Sequence, residues 1–174
     1  MAYLTGRNDE DLSVEESRRR FKAYQQYLES IRPALPVSAH EFASASWHYD
    51  PRDPKCPHDA WVESINIIEP AKGERHEIRG IEIHMRLLGA YHDGHIEIRY
   101  LNVSRYATDV AQSSICGHGD WLVDEIGLTP AGAVMHTIDF VNGTVHIECG
   151  DICYQWIPLE EQAPPPFKEC GQVE

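Results

Sequence analysis

The sequence predicts an α+β fold: an antiparallel meander sheet of about six strands, with one or two N-terminal helices packed on its apolar face. Three observations predict it. Asp93-Gly94 and Asn142-Gly143 each sit between runs that alternate apolar and polar residues, which is the pattern of a half-buried hairpin. In both hairpins the apolar positions of the two arms sort onto one face, and a one-residue slip would scramble that sorting. Ahead of the strands, Phe21, Tyr24, Leu28 and Ile31 recur at helical spacing. That stripe needs a partner, and the apolar face of the sheet supplies one.

Taken in order, residues 1–12 read as a loose N-terminus. Ser13 starts a helix, with Glu16 completing a capping box, and Pro33 ends it. The run Arg18-Arg19-Arg20 lies beside Glu15 and Glu16 and reads as a solvated, ion-paired face. Ser38 and Glu41 suggest a second capping box and a short helix through Phe42 and Trp47. Pro51, Pro54 and Pro57 make the next stretch irregular. Trp61 to Ile68 is an apolar strand, and Pro70 to Arg75 a polar connection.

The central hairpin runs from Ile78 to Arg105. A two-residue turn at Asp93-Gly94 would put His92 opposite His95, Tyr91 opposite Ile96, Leu87 opposite Tyr100 and Glu82 opposite Arg105. Ile81, Ile83, Met85, Leu87, Tyr91, Ile96, Ile98 and Tyr100 then share the core face. Ala107 to Gly119 shows no periodicity and reads as a loop. Trp121 to Leu128 is a strand, followed by a turn at Thr129-Pro130-Ala131-Gly132. The second hairpin, turning at Asn142-Gly143, places Phe140 opposite Val145, Ile138 opposite Ile147 and His136 opposite Cys149. Past Gly150 the apolar phase switches to Ile152, Tyr154 and Trp156, as a β-bulge at Gly150-Asp151 would produce. The division is thus a flexible 1–12, a single α+β domain over 13–157 and a Pro-rich acidic tail over 158–174.

Composition narrows the function. The net charge is −13, and from Asp109 onward Lys168 is the sole base among eleven acids. Nucleic acid is an unexpected partner for such a surface, because phosphate binding needs bases. A basic protein is electrostatically suited to it. The candidate protein-binding acids are Asp120, Asp124, Glu125, Asp139 and Glu148. No apolar run of spanning length occurs, so no membrane role is expected. Five cysteines without an apolar N-terminal segment point to reduced thiols and a cytoplasmic location.

Catalytic signals are weak. No G-x-S-x-G elbow, P-loop or dinucleotide fingerprint is present. His92 and His95 are the best metal pair, because residues facing across a short turn have Cβ atoms roughly 4.5–5.5 Å apart. A third ligand would have to come from a loop, such as His118 or Asp120. Cys149 and Cys153 have ligand-like spacing, but four residues of strand separate them by about 13 Å. Trp61, Trp121 and Trp156 occupy strand positions and read as core, while Trp47, Tyr49 and Tyr106 are candidates for a recognition patch. The expectation is a non-enzymatic cytosolic binding protein of a bacterial-type cell, without cofactor. Its concrete form would be an acidic immunity- or antitoxin-like protein that blocks a basic partner. The alternatives are a metal-dependent enzyme using His92 and His95, or a sheet protein holding a small apolar ligand.

Overall fold

The computed structural model describes residues 2–6, 13–110 and 117–159. Most of the expected tail, part of the expected loose N-terminus, Cys116 and Cys170 lie outside the described residues. Helix α1 (Val14–Ile31) opens on Ser13, whose hydroxyl accepts the Glu16 N–H at 3.2 Å. Arg19 and Arg20 both reach Glu16, as the ion-paired reading expects. The helix passes into a 3₁₀ turn at Arg32–Ala34, which holds Pro33. Helix α2 (Val37–Ser44) departs from expectation: it is capped by Pro36, and it ends before Trp47. Ser38 is not a cap. Its hydroxyl donates to the Asp151 carboxylate and ties α2 to the last strand.

The described strands are β1 (Trp61–Ile68), β2 (Ala71–Lys72), β3 (Ile78–Arg79), β4 (Glu82–Leu88), β5 (Gly94–Leu101), β6 (Arg105–Val110), β7 (Trp121–Leu128), β8 (Val134–Phe140), β9 (Gly143–Cys149) and β10 (Asp151–Pro158). The α+β class and the antiparallel pairing hold. The single six-stranded sheet does not. One four-stranded sheet has the order β1-β4-β5-β10, a second β6-β9-β8-β7, and β2-β3 form a small ribbon. The division falls where two paired strands bend together. β5 leads into β6 through Asn102, whose φ is 51°. β9 leads into β10 through Gly150, whose N–H donates to Leu101 O at 2.8 Å. The expected bulge at Gly150 is therefore a crossing from one sheet to the other. Part of the expected loop after Arg105 is strand β6.

Both hairpins keep the expected faces but not the expected turns. Leu87 faces Ile96 rather than Tyr100, a displacement of four residues. The loop is Ala90–Asp93, closed by the Gly89 N–H on Gly94 O at 2.9 Å. His92, not the glycine, takes the positive φ of 55°. Gly94 is required for another reason: the Trp156 ring lies where its Cβ would be, and Gly89 faces the same ring. In the second hairpin Phe140 faces Gly143, a displacement of two, with Val141-Asn142 as the loop. Here a Cβ on Gly143 would collide with the backbone oxygen of Asp109. Even displacements preserve side-chain parity, so Ile83, Met85, Leu87, Ile96, Ile98, Tyr100, Ile138, Phe140, Val145 and Ile147 are buried as expected. Ile81 is partly buried against the same core, and Tyr91 departs from it. Tyr91 falls in the loop and is 55% exposed.

The two sheets and both helices share one core, to which α1 contributes Tyr24 and Leu28 and α2 contributes Ala39, Phe42 and Ala43. The outer strands of the two sheets meet at one end. Trp61 of β1 bridges Asp120, the Asp59 N–H donates to Trp121 O at 2.9 Å, and the Trp121 N–H donates to Ala60 O at 3.1 Å. No helix among the described residues is long and apolar enough to cross a membrane.

Candidate functional site

Asp124 and His136 lie on inward-facing positions of β7 and β8, where a polar side chain must find partners or destabilise the core. They find each other. The His136 Nε2–H donates to Asp124 Oδ2 at 2.9 Å, and its Nδ1 accepts the Tyr100 hydroxyl at 2.9 Å. From the loop after α2, His48 Nε2–H donates to both carboxylate oxygens at 3.0 Å, and its Nδ1–H to Phe42 O at 2.8 Å. Trp121 Nε1–H reaches Asp124 Oδ1 at 3.3 Å. His48 has an acceptor at each nitrogen and so carries both protons, while His136 with one donor and one acceptor is neutral. Asp124 is 1% exposed. Burial alone would raise its pKa, but the His48 charge and the N–H groups of His136 and His48 outweigh burial and hold the carboxyl below its usual range. Burial pushes His136 below the usual histidine value, against the pull of Asp124.

This group is closed off from solvent. Its chemistry is that of a clamp that joins the loop after α2 to β7 and β8. Tyr49 strengthens it: its hydroxyl donates to Asp124 O at 3.2 Å and lies 3.3 Å from the Tyr24 hydroxyl. Cys56 donates to His48 O at 2.9 Å, and burial pushes its thiol up to about 11.

Two of the acids expected on a binding surface are therefore inside. Asp124 belongs to the clamp. Glu125 points to the other side of β7, yet it is only 7% exposed because residues 2–6 cover it. Its carboxylate accepts Tyr3 N–H at 2.5 Å, Thr5 N–H at 3.1 Å and the Thr5 hydroxyl at 2.5 Å. Asp139 accepts Gly6 N–H at 2.6 Å and the Thr144 hydroxyl at 2.9 Å. Glu148 faces Arg105 and His146 at 3.4 and 3.3 Å. Asp120 stands apart from these, at the seam between the sheets.

His92 and His95 do not face each other. His95 pairs with Leu88 in the ladder, and its Nε2 lies 3.3 Å from Glu63, which a bulge between Val62 and Ser64 displaces from the regular ladder. His92 sits edge-on to the Trp61 ring, with centroids 4.8 Å apart. Among the described residues no group of three or more His, Cys, Asp or Glu side chains is placed to hold a metal ion.

The open surface lies at the seam. Trp61 was expected in the core, but it is 50% exposed, and its indole N–H donates to Asp120 Oδ1 at 2.6 Å. Tyr91, next to His92, donates to Pro51 O at 2.9 Å. Leu122 and Val141 are exposed beside Asp120, whose backbone oxygen accepts the Val141 N–H at 3.0 Å. His58 Nδ1 lies 2.7 Å from Leu122 O. His58, Pro51, Leu122 and Trp121 line a cleft of about 210 Å³ against the outer side of His48. Trp47 and Tyr49, expected at a recognition patch, turn inward, with Trp47 packed on Tyr154 and Tyr49 on His48. The signal for the clamp was in the sequence: His136 falls in the apolar phase of its hairpin, and a histidine there demands a buried partner. No protein-family model matches the chain, and neither a curated protein nor a solved structure matches it.

Proposed function

We propose that the chain is a non-enzymatic binding protein that docks a protein partner on the seam surface built by Trp61, Tyr91, Leu122 and Val141. The observation that carries the reading is Trp61. Its ring stands half in solvent while Asp120 and His92 fix its orientation. A large aromatic side chain ordered before binding loses little entropy on docking, and tryptophan and tyrosine are common interface anchors. Asp120 stands beside Trp61, and the net charge of −13 suits a basic partner and speeds its approach. An immunity- or antitoxin-type blocker of a basic protein is the most concrete form of this reading.

The test is affinity capture from the source cell with wild type and Trp61→Ser, followed by titration of the purified partner. A basic protein bound by wild type and weakened at least tenfold by Trp61→Ser is expected, since an anchor truncation costs about 2 kcal/mol or more. Equal affinity of both proteins for that partner would overturn the reading.

A further inference from the structure

Two four-stranded sheets have four edge strands, and three of them are guarded. β1 carries the bulge between Val62 and Ser64 and bridges Asp120. β7 carries a bulge between Trp121 and Val123 and packs against α1. β10 lies under α2 and ends in Pro158. Such devices keep sheet edges from pairing with other chains. β6 has no bulge, proline or covering helix among the described residues, and its charges, Arg105 and Asp109, are one of each sign. It pairs with β9 in regular register over all six residues. Its side chains from Arg105 to Asp109 are exposed on both faces. Tyr106 stands on the same side as Ile147, its buried partner in β9, yet it is 47% exposed.

We propose that β6 is the edge through which two copies of this chain pair, antiparallel and about a two-fold axis at Ala107. Identical antiparallel strands pair symmetrically only when each residue meets one of the same parity, so the centre must be a single residue. Centring on Ala107 sets Arg105 against Asp109 of the other copy, twice, with Ala107 against Ala107 between them. On the opposite side Tyr106 meets Thr108, and the exposed phenol ring is covered. Centring on Tyr106 or Thr108 matches neither charge. Each Arg105 then lies between its own Glu148, 3.4 Å away, and Asp109 of the second copy. The pairing joins two four-stranded sheets into one of eight and leaves the Trp61 surface free.

Sedimentation velocity over a micromolar to submillimolar range tests this with Arg105→Asp, Asp109→Arg and an equimolar mixture of the two. Wild type is expected to dimerise with concentration. Each variant alone should dimerise roughly tenfold more weakly, because two cross-strand pairs become like-charged. The mixture should recover wild-type strength as a heterodimer. In it the aspartate introduced in one variant meets the arginine introduced in the other, and the unchanged Asp109 of the first meets the unchanged Arg105 of the second. A variant that merely failed to fold would not be rescued by mixing. For that case the milder Arg105→Gln and Asp109→Asn should weaken the dimer less than the reversals do. A wild type that stays monomeric, a dimer indifferent to the reversals, a mixture without recovery, or an edge that binds an unrelated extended peptide instead would each overturn the proposal.

Discussion

Replacing Asp124 by alanine should bring the protein close to unfolding. The carboxylate is the acceptor for three N–H donors, from His48, His136 and Trp121. Each buried donor left without an acceptor costs about 1–3 kcal/mol. Removing one member of a buried ion pair costs about 3–5 kcal/mol. The two figures describe overlapping losses and do not add, so about 4 kcal/mol stands for the whole. A domain holds about 5–15 kcal/mol in total, so this is a large share of it. Asp124→Asn should cost less, about 2 kcal/mol, because its amide oxygen keeps an acceptor while its NH₂ faces another N–H. Urea unfolding followed by tryptophan fluorescence gives both numbers, provided the slope with denaturant is unchanged. A cost below about 1 kcal/mol for Asp124→Ala, an ordinary value for any substitution, would refute the clamp.

Three more expectations follow from the same contacts. Gly94→Ala should destabilise by about 1–3 kcal/mol through collision with Trp156 rather than through backbone strain. The loss should shrink in a Trp156→Leu background, and a double-mutant cycle showing simple additivity would exclude that cause. Stability should fall on acidification in two stages, because His136 and Asp124 both have folded-state pKa values below their ordinary 6.5 and 3.8. Below pH 6.5 the unfolded chain takes up a proton that folded His136 resists, and below 3.8 the same holds for Asp124, so stability rises with pH in both windows. Thermal melts from about pH 8 to about pH 3 read this, and a His136→Gln variant should lose the upper stage. Burial pushes the Cys56 and Cys149 thiols up to about 11 and 12. Mass spectrometry after iodoacetamide at about pH 8 should find both unmodified in the folded protein and modified in urea.

Side-chain parity was legible from the residues, and turn length was not. Asp93-Gly94 has the composition of a two-residue turn, but the chain uses Gly94 to make room for Trp156, a residue far along the sequence. A displacement of four residues keeps the parity of the paired strands, so their buried face matches the alternation, while Tyr91 falls into the longer loop and out of the core. The division into two sheets rests on single residues, Asn102 with its positive φ and Gly150 with its N–H on Leu101 O, and neither announces a bend in the residue pattern. Asp124 and Glu125 looked like surface because adjacent charged residues usually are. One turns inward to His136 on the neighbouring strand and to His48 from the distant loop after α2, and the other is roofed by residues 2–6. Trp61 looked like core because it begins an apolar strand, but that strand is an edge.

Hydrogen exchange of the free and partner-bound protein tests the seam surface most directly. Protection on binding is expected in the segments around Ala60–Val62, Gly89–Asp93 and Gly119–Val123 and at Val141, with little change along β6 or on the outer face of β8 and β9. Protection confined to those other strands, with the Trp61 segments exchanging as in the free protein, would contradict the assignment of the binding surface.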